Sequence, residues 1–202
     1  MSRLFCESIP FLKRLFEVLG YSEIKHIVFT LPRDTVTVVS PMVKLDTRIL
    51  PIKVLTNKDW KQIKELQGRL GTIYLKWKYG SPETYVLLAY VDKALAHIEW
   101  IVPANKIRVR YPFVTEGSYS VISCLTLPRF RGLGIYPSQI QKVVESDIPA
   151  KMFWIWTPST NTPSLKGICK AGGIKVAELV QEKWFWGCKS CIAYFPKGSD
   201  DK

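Results

Sequence analysis

Two hydrophobic periods alternate along the chain, and the switches between them predict its elements. Ser8 precedes Pro10 and an apolar stripe at Phe11, Leu12, Leu15, Phe16 and Leu19 that stops at Gly20, the spacing of a capped amphipathic helix. His26 to Leu31 and Thr35 to Val43 are β-branched-rich and flank Pro32-Arg33-Asp34, which predicts a hairpin or two short strands. Residues 1–50 therefore read as an appended extension of a helix and short strands. From Pro51 the pattern becomes regular, with a strand as far as Leu55, a helix from about Asn57 to Gln67 and a stop at Gly68. Period-two alternation then predicts strands at Gly71 to Tyr79, Tyr85 to Val91 and Leu95 to Val102, with Asp92-Lys93 as a turn.

Tyr119 to Leu127 reads as a strand and Pro137 to about Ser146 as a helix. After Pro149 come a strand at Lys151 to Thr157 and a helix from Thr162-Pro163 to Gly172-Gly173. Strands at Lys175 to Gln181 and Trp184 to Tyr194 complete the chain. The expected class is α/β, mixed helices and strands around one sheet, in a domain of residues 51–197.

Between the strand at 119–127 and the helix at 137 lies Arg129-Phe130-Arg131-Gly132-Leu133-Gly134-Ile135. A helix start presents unpaired N–H groups and a positive dipole end. Gly132 and Gly134 let the backbone turn with positive φ and approach an anion closely, while Arg129 and Arg131 add cationic forks. Strand, loop and helix together predict a diphosphate grip.

Lys and Arg number 29 against 17 Asp and Glu, a net charge of +12, so the ligand is expected to be anionic. The cations are scattered as singles and pairs, without the block of like charges that marks a nucleic-acid arm. Trp154, Trp156, Trp184 and Trp186 alternate at strand spacing, which favours core packing over a base-stacking platform. No run of eighteen apolar residues occurs and the first twenty residues lack a signal-peptide pattern, so a cytoplasmic protein without a membrane span is expected. The five cysteines, an odd number, read as reduced thiols; Cys188 and Cys191 have CxxC spacing but no second pair or nearby His to complete a metal site.

Arg129-x-x-Gly132-x-Gly134 resembles the (Gln/Arg)-x-x-Gly-x-(Gly/Ala) signature of the GNAT N-acetyltransferase superfamily. Ile52 to Trp60 is similar to that superfamily's opening strand and helix, and Asn161-x-x-Ser164 with Lys170-Ala-Gly172 to its second motif. The resemblance covers about residues 51–195. It implies a mostly antiparallel twisted sheet flanked by helices, and acyl transfer from acyl-CoA, a co-substrate and not a tightly bound cofactor, to a primary amine. It places CoA contacts at Leu125, Leu127, Arg129, Phe130, Arg131, Gly132, Leu133, Gly134, Ile135 and Tyr136, and at Asn161 and Ser164. It also makes the Leu125 amide the first choice for polarising the thioester. The tyrosine that often follows the second motif's Asn by seven positions is Ile168, so Tyr136 and Tyr194 are the alternatives for protonating the thiolate.

Amine attack on a thioester needs a proton acceptor. Along Leu95 to Val102 the alternation puts His97 and Glu99 on one face, so they are the candidate bases, Glu99 ahead of His97, beside the alternative of a wet polar strand face. Asn161 reads equally as a helix cap. Cys124 sits among apolar residues and reads as a small core residue rather than a nucleophile. The charge points to a small anionic amine as acceptor, first an amino sugar on a nucleoside diphosphate, with Lys76, Lys78, Arg108 and Arg110 to bind phosphate and Trp100, Tyr111 and Phe113 to stack. The partners expected are acyl-CoA, this amine and, for the chain itself, a homodimer. A basic nucleic-acid-binding module and a CoA-binding protein without catalysis are the alternatives.

Overall fold

The computed structural model describes residues 22–33, 38–107, 116–184 and 187–194, with the backbone alone for Ser22, 181–184 and 187–194. Eight strands form one sheet: β1 (Ser22–Leu31), β2 (Asp46–Pro51), β3 (Tyr85–Val91), β4 (Ala94–Pro103), β5 (Ser118–Thr126), β6 (Met152–Pro158), β7 (Ile174–Trp184) and β8 (Gly187–Tyr194). Their order is β2-β3-β4-β5-β6-β1-β7-β8, and every neighbouring pair is antiparallel except β5 and β6. Among the described residues four α-helices cover the faces: α1 (Asn57–Gln67), α2 (Arg69–Tyr79), α3 (Ile135–Val144) and α4 (Thr162–Lys170).

The two largest hydrophobic clusters lie one on each face. Ile63 of α1 and Leu75 and Tyr79 of α2 pack with Val86, Leu88, Ile98 and Trp100. On the other face Ile140 and Val143 of α3 and Ile168 of α4 pack with Leu87, Ile101, Val121 and Phe153. A two-layer cover of a half-apolar chain is the expected solution for a sheet buried on both faces.

Most predicted elements form close to their expected bounds. The turn between β3 and β4 has Asp92 at φ 48° and Lys93 at φ 67°, the two positive values of a type I′ hairpin, whose twist matches the strands it joins. Thr56 caps α1: its hydroxyl accepts from the Asp59 N–H while Asp59 accepts from the Thr56 N–H.

Three expectations are corrected. Gly71 to Tyr79 is helix, not strand, because Thr72, Leu75 and Tyr79 recur at helical spacing and all bury inward, which overrides the β-propensity of Thr72, Ile73 and Tyr74. The opening strand is Asp46–Pro51, and Ile52–Val54 is a 3-10 turn. The described residues before 50 are not an appendage either. β1 is one ten-residue strand inside the sheet, between β6 and β7, held by the apolar side chains Ile27, Val28, Phe29 and Leu31. In place of the second strand of the expected hairpin, residues 38–45 run irregularly past α3, where the Val39 N–H meets Gln141 Oε1 at 2.9 Å and the Met42 N–H meets the Leu133 carbonyl at 2.9 Å. The helix expected at Ser8 to Gly20 lies outside the described residues.

Candidate active site

β5 and β6 run side by side only briefly. They pair from Ser118 with Met152 to Val121 with Ile155, after which β5 continues to Thr126 without β6. The next residues of β6 pair only with β1, Trp156 with Val28 and Thr157 with Ile27. The edge of β5 from Ile122 to Thr126 therefore has no strand paired to it and opens into a cleft within the sheet.

A bulge marks the point of divergence. Ile98 pairs with Leu125 and Trp100 with Ile122, so the single residue Glu99 faces two, Ser123 and Cys124. Ser123 takes φ 51°, a left-handed conformation that costs a non-glycine residue about 1–2 kcal/mol. The bulge also decides which amides face the cleft. The Leu127 N–H bonds the Ala96 carbonyl, so by alternation the Leu125 N–H is turned to Ile98 on β4, and those of Cys124 and Thr126 turn toward the opening. This corrects the choice of Leu125 as polarising amide.

Opposite the bulge, β4 carries a buried polar chain. His97 and Glu99 are both fully buried. His97 Nε2 lies 2.9 Å from Glu99 Oε1 and its Nδ1 lies 2.6 Å from Thr126 Oγ1. A carboxylate only accepts, so the tautomer that satisfies both neighbours carries its hydrogen on Nε2 and accepts the Thr126 hydroxyl at Nδ1. Glu99 Oε2 is buried without a hydrogen-bond partner. The Cys124 thiol is pushed well above the ordinary thiol range by burial first and then by the Glu99 charge, against a hydrogen bond with Tyr136. The Tyr136 hydroxyl is likewise held protonated, by burial first and then by Cys124 and Glu99, while a hydrogen bond with Ser164 works the other way. Its ring lies 6.0 Å from that of His97.

At the end of β5 the chain makes a 3-10 turn at Pro128–Phe130 and enters α3 through Gly132 at φ 81° and Gly134 at φ 73°, the latter as N-cap. Both glycines adopt the left-handed backbone the sequence requires of them. The loop is anchored from beneath: the half-buried Phe130 and Leu133 pack with Val91, Ala96 and the buried Ile135. Arg129, Arg131 and Gly132 are exposed. Arg131 Nε donates to the Thr126 carbonyl at 3.2 Å, which ties the loop to the end of the cleft. Leu127 spends its N–H on β4. Across the cleft, Asn161 caps α4 by accepting from the Ser164 N–H at 3.3 Å, and Ile168 is fully buried in the core.

The structure thus brings together His97, Glu99, Tyr136, Ser164 and the glycine loop. Thr126 was not anticipated. Its only sequence signal is register, since it opposes His97, and register across a bulge is not readable from one strand. Of the acceptor candidates, Trp100 is fully buried, Lys76 lies 4.7 Å over the Trp60 ring and Lys78 bonds the Tyr74 hydroxyl at 2.7 Å. Arg108, Arg110, Tyr111 and Phe113 lie outside the described residues, as do the side chains of Tyr194, Cys188 and Cys191. Among the described residues no helix is long and apolar enough to cross a membrane.

No protein-family model matches the sequence, and no curated protein does. Solved structures do match. A conserved protein of unknown function from Staphylococcus epidermidis is 12% identical with a TM-score of 0.63 over 86% of this chain and 66% of its own. A putative GNAT-family acetyltransferase from Novosphingobium aromaticivorans is 16% identical with a TM-score of 0.52 over 80% of this chain and 65% of its own. A GCN5-related N-acetyltransferase from Sphaerobacter thermophilus is 16% identical with a TM-score of 0.53 over 88% of this chain and 57% of its own. The chain thus spans about two thirds or less of the length of these proteins. Its fold is that of the GNAT acetyltransferases.

Proposed function

We propose that the chain is an acyl-CoA-dependent N-acyltransferase. The observation that carries this reading is the parting of β5 from β6 directly before a glycine–arginine loop at a helix start, because it joins a slot for a thin chain to a seat for a diphosphate. The α3 N-terminus, Arg129 and Arg131 bind the CoA pyrophosphate, and the open edge of β5 holds the pantetheine arm by backbone hydrogen bonds. The amides of Cys124 and Thr126 donate to the thioester oxygen as it gains charge.

Thr126, His97 and Glu99 then remove the amine proton. The Thr126 oxygen accepts it as its own hydroxyl hydrogen passes to His97 Nδ1, and Glu99 holds the imidazole in place and stabilises the cation formed. The amine nitrogen bonds the acyl carbon, the carbon–sulfur bond breaks, and the thiolate is protonated. The thiolate takes its proton from solvent as the proton on His97 is released, and the Tyr136 hydroxyl, which burial keeps protonated, donates a hydrogen bond to the departing sulfur. No enzyme-bound acyl group is needed, and the buried Cys124 thiol plays no nucleophilic part.

For the acceptor, the net charge of +12 supports a small anionic amine, an amino sugar on a nucleoside diphosphate first. An acceptor screen reading CoA release tests it, with nucleotide-linked amino sugars beside polyamines, aminoglycosides and lysine-rich peptides. Good turnover of a cationic amine with nucleotide sugars at background refutes the anionic acceptor. A second reading, CoA binding without turnover, is favoured by one observation: Glu99 and His97 expose no surface. CoA binding with no release in any arm of the screen selects it.

A further inference from the structure

α2 buries Thr72, Leu75 and Tyr79 and leaves its other large apolar residues in water: Leu70 is 82% exposed, Trp77 81%, Ile73 51% and Tyr74 50%. At about 100° per residue these four fall within roughly 55° of the direction opposite the buried face. They form one stripe at i, i+3, i+4 and i+7, pointing straight away from the protein. Scattered exposed apolar residues are ordinary; a contiguous stripe of this size marks a binding surface.

Charge lines both borders of the stripe. Arg69 and Lys76 project roughly 90–110° to one side of it and Lys78 roughly 90° to the other. Lys78 reaches back over the stripe to bond the Tyr74 hydroxyl at 2.7 Å. α1 adds exposed Lys58, Lys61 and Lys64. Two acids stand on these helices: Asp59, buried and paired with Arg48 at 3.1 Å, and Glu65. A helix with Leu, Ile, Tyr and Trp outward and cations on its flanks is built to lie in a bilayer interface, rings among the acyl boundary and cations on anionic headgroups.

We propose that α2, with the lysines of α1, docks this protein on anionic lipid surfaces. A second copy of the chain fits the stripe worse. α2 is about 16 Å long, so four side chains bury a few hundred Å², short of the roughly 800 Å² per partner of a stable interface. Face-to-face copies would also set Arg69, Lys76 and Lys78 of each against those of the other.

The experiment is sedimentation of the full chain with vesicles of phosphatidylcholine alone and of phosphatidylcholine with roughly 30 mol% phosphatidylglycerol. Binding is expected only to the anionic vesicles, falling about tenfold or more as salt rises from about 0.1 M to about 0.5 M. Leu70→Ser/Trp77→Ser and, separately, Lys61→Glu/Arg69→Glu are each expected to lose that binding while Tm stays within about 2 °C of the parent, because these side chains are exposed. Equal binding to both vesicle types, binding to neither, or full binding by both variants overturns the proposal. So does a concentration-dependent dimer in sedimentation velocity that Leu70→Ser/Trp77→Ser abolishes, which would give the stripe to a second copy.

Discussion

The ring of Tyr136 occupies the place where residue 167 would carry a side chain: a Cβ on Gly167 would lie 2.5 Å from Tyr136 Cδ1. Helix propensity alone would favour alanine over glycine inside α4 by about 1 kcal/mol. Gly167→Ala is instead expected to destabilise the protein by about 1–3 kcal/mol, because a ring that packs on the core and is hydrogen-bonded with Cys124 and Ser164 must be displaced. Differential scanning calorimetry checks the sign. In Tyr136→Ala/Gly167→Ala the added cost of the alanine at 167 should disappear, the signature of a coupled pair.

Removing the Thr126 hydroxyl tests the relay without disturbing shape. Thr126→Val is expected to lower kcat about 10²-fold with the KM for acyl-CoA changed less than about twofold, and Thr126→Ser to recover most of the rate. Glu99→Gln should lower kcat to a similar degree. Steady-state thiol release measures all three, and parent-like rates in Thr126→Val would return Thr126 to a purely structural role.

CoA is expected to raise Tm in a concentration-dependent way, since a ligand that binds only the folded chain stabilises it. Arg129→Ala/Arg131→Ala should remove most of that shift. Both arginines are exposed, so the apo Tm should hold. The absence of any shift with parent protein at millimolar CoA refutes the CoA site.

Asp59 gives the fold a dependence on acid. Burial alone would raise its carboxyl, but the Thr56 hydroxyl and N–H and the Arg48 guanidinium outweigh it and hold the carboxyl below its ordinary 3.8. A folded value below the unfolded one means the stabilisation is complete above pH 3.8 and is lost as pH falls through the folded value. The gap in stability between parent and Asp59→Ala, about 1–2 kcal/mol near neutrality, is expected to close below that point in chemical denaturation at stepped pH.

Punctuation made much of this fold legible. Gly68, Asp92-Lys93, the glycine loop and Asn161-Thr162-Pro163 each mark an element end that the structure reproduces, because turns and caps are local chemistry. The strand–loop–helix course around Gly132 and Gly134 was legible for the same reason. What was not legible depends on distant partners. Ile73 and Tyr74 read as strand until the inward face of α2 is known, and the placement of Thr126 opposite His97 and of Leu125 opposite Ile98 depends on the register across the bulge at Ser123. The burial of Trp100 likewise follows from α1 and α2 covering that face.

β1 sits between two strands that are made long after it. When Ser22–Leu31 leaves the ribosome, its neighbour β6 is roughly 130 residues away in the chain and β7 roughly 150. Among the described strands it is the first made, and it waits, apolar and without its sheet neighbours, until Met152–Trp184 has been translated; a truncated product ending before β6 holds it with both edges bare. The sheet therefore closes from its middle at the last moment. Shortening the chain from the front would not trim it but would break the sheet in two.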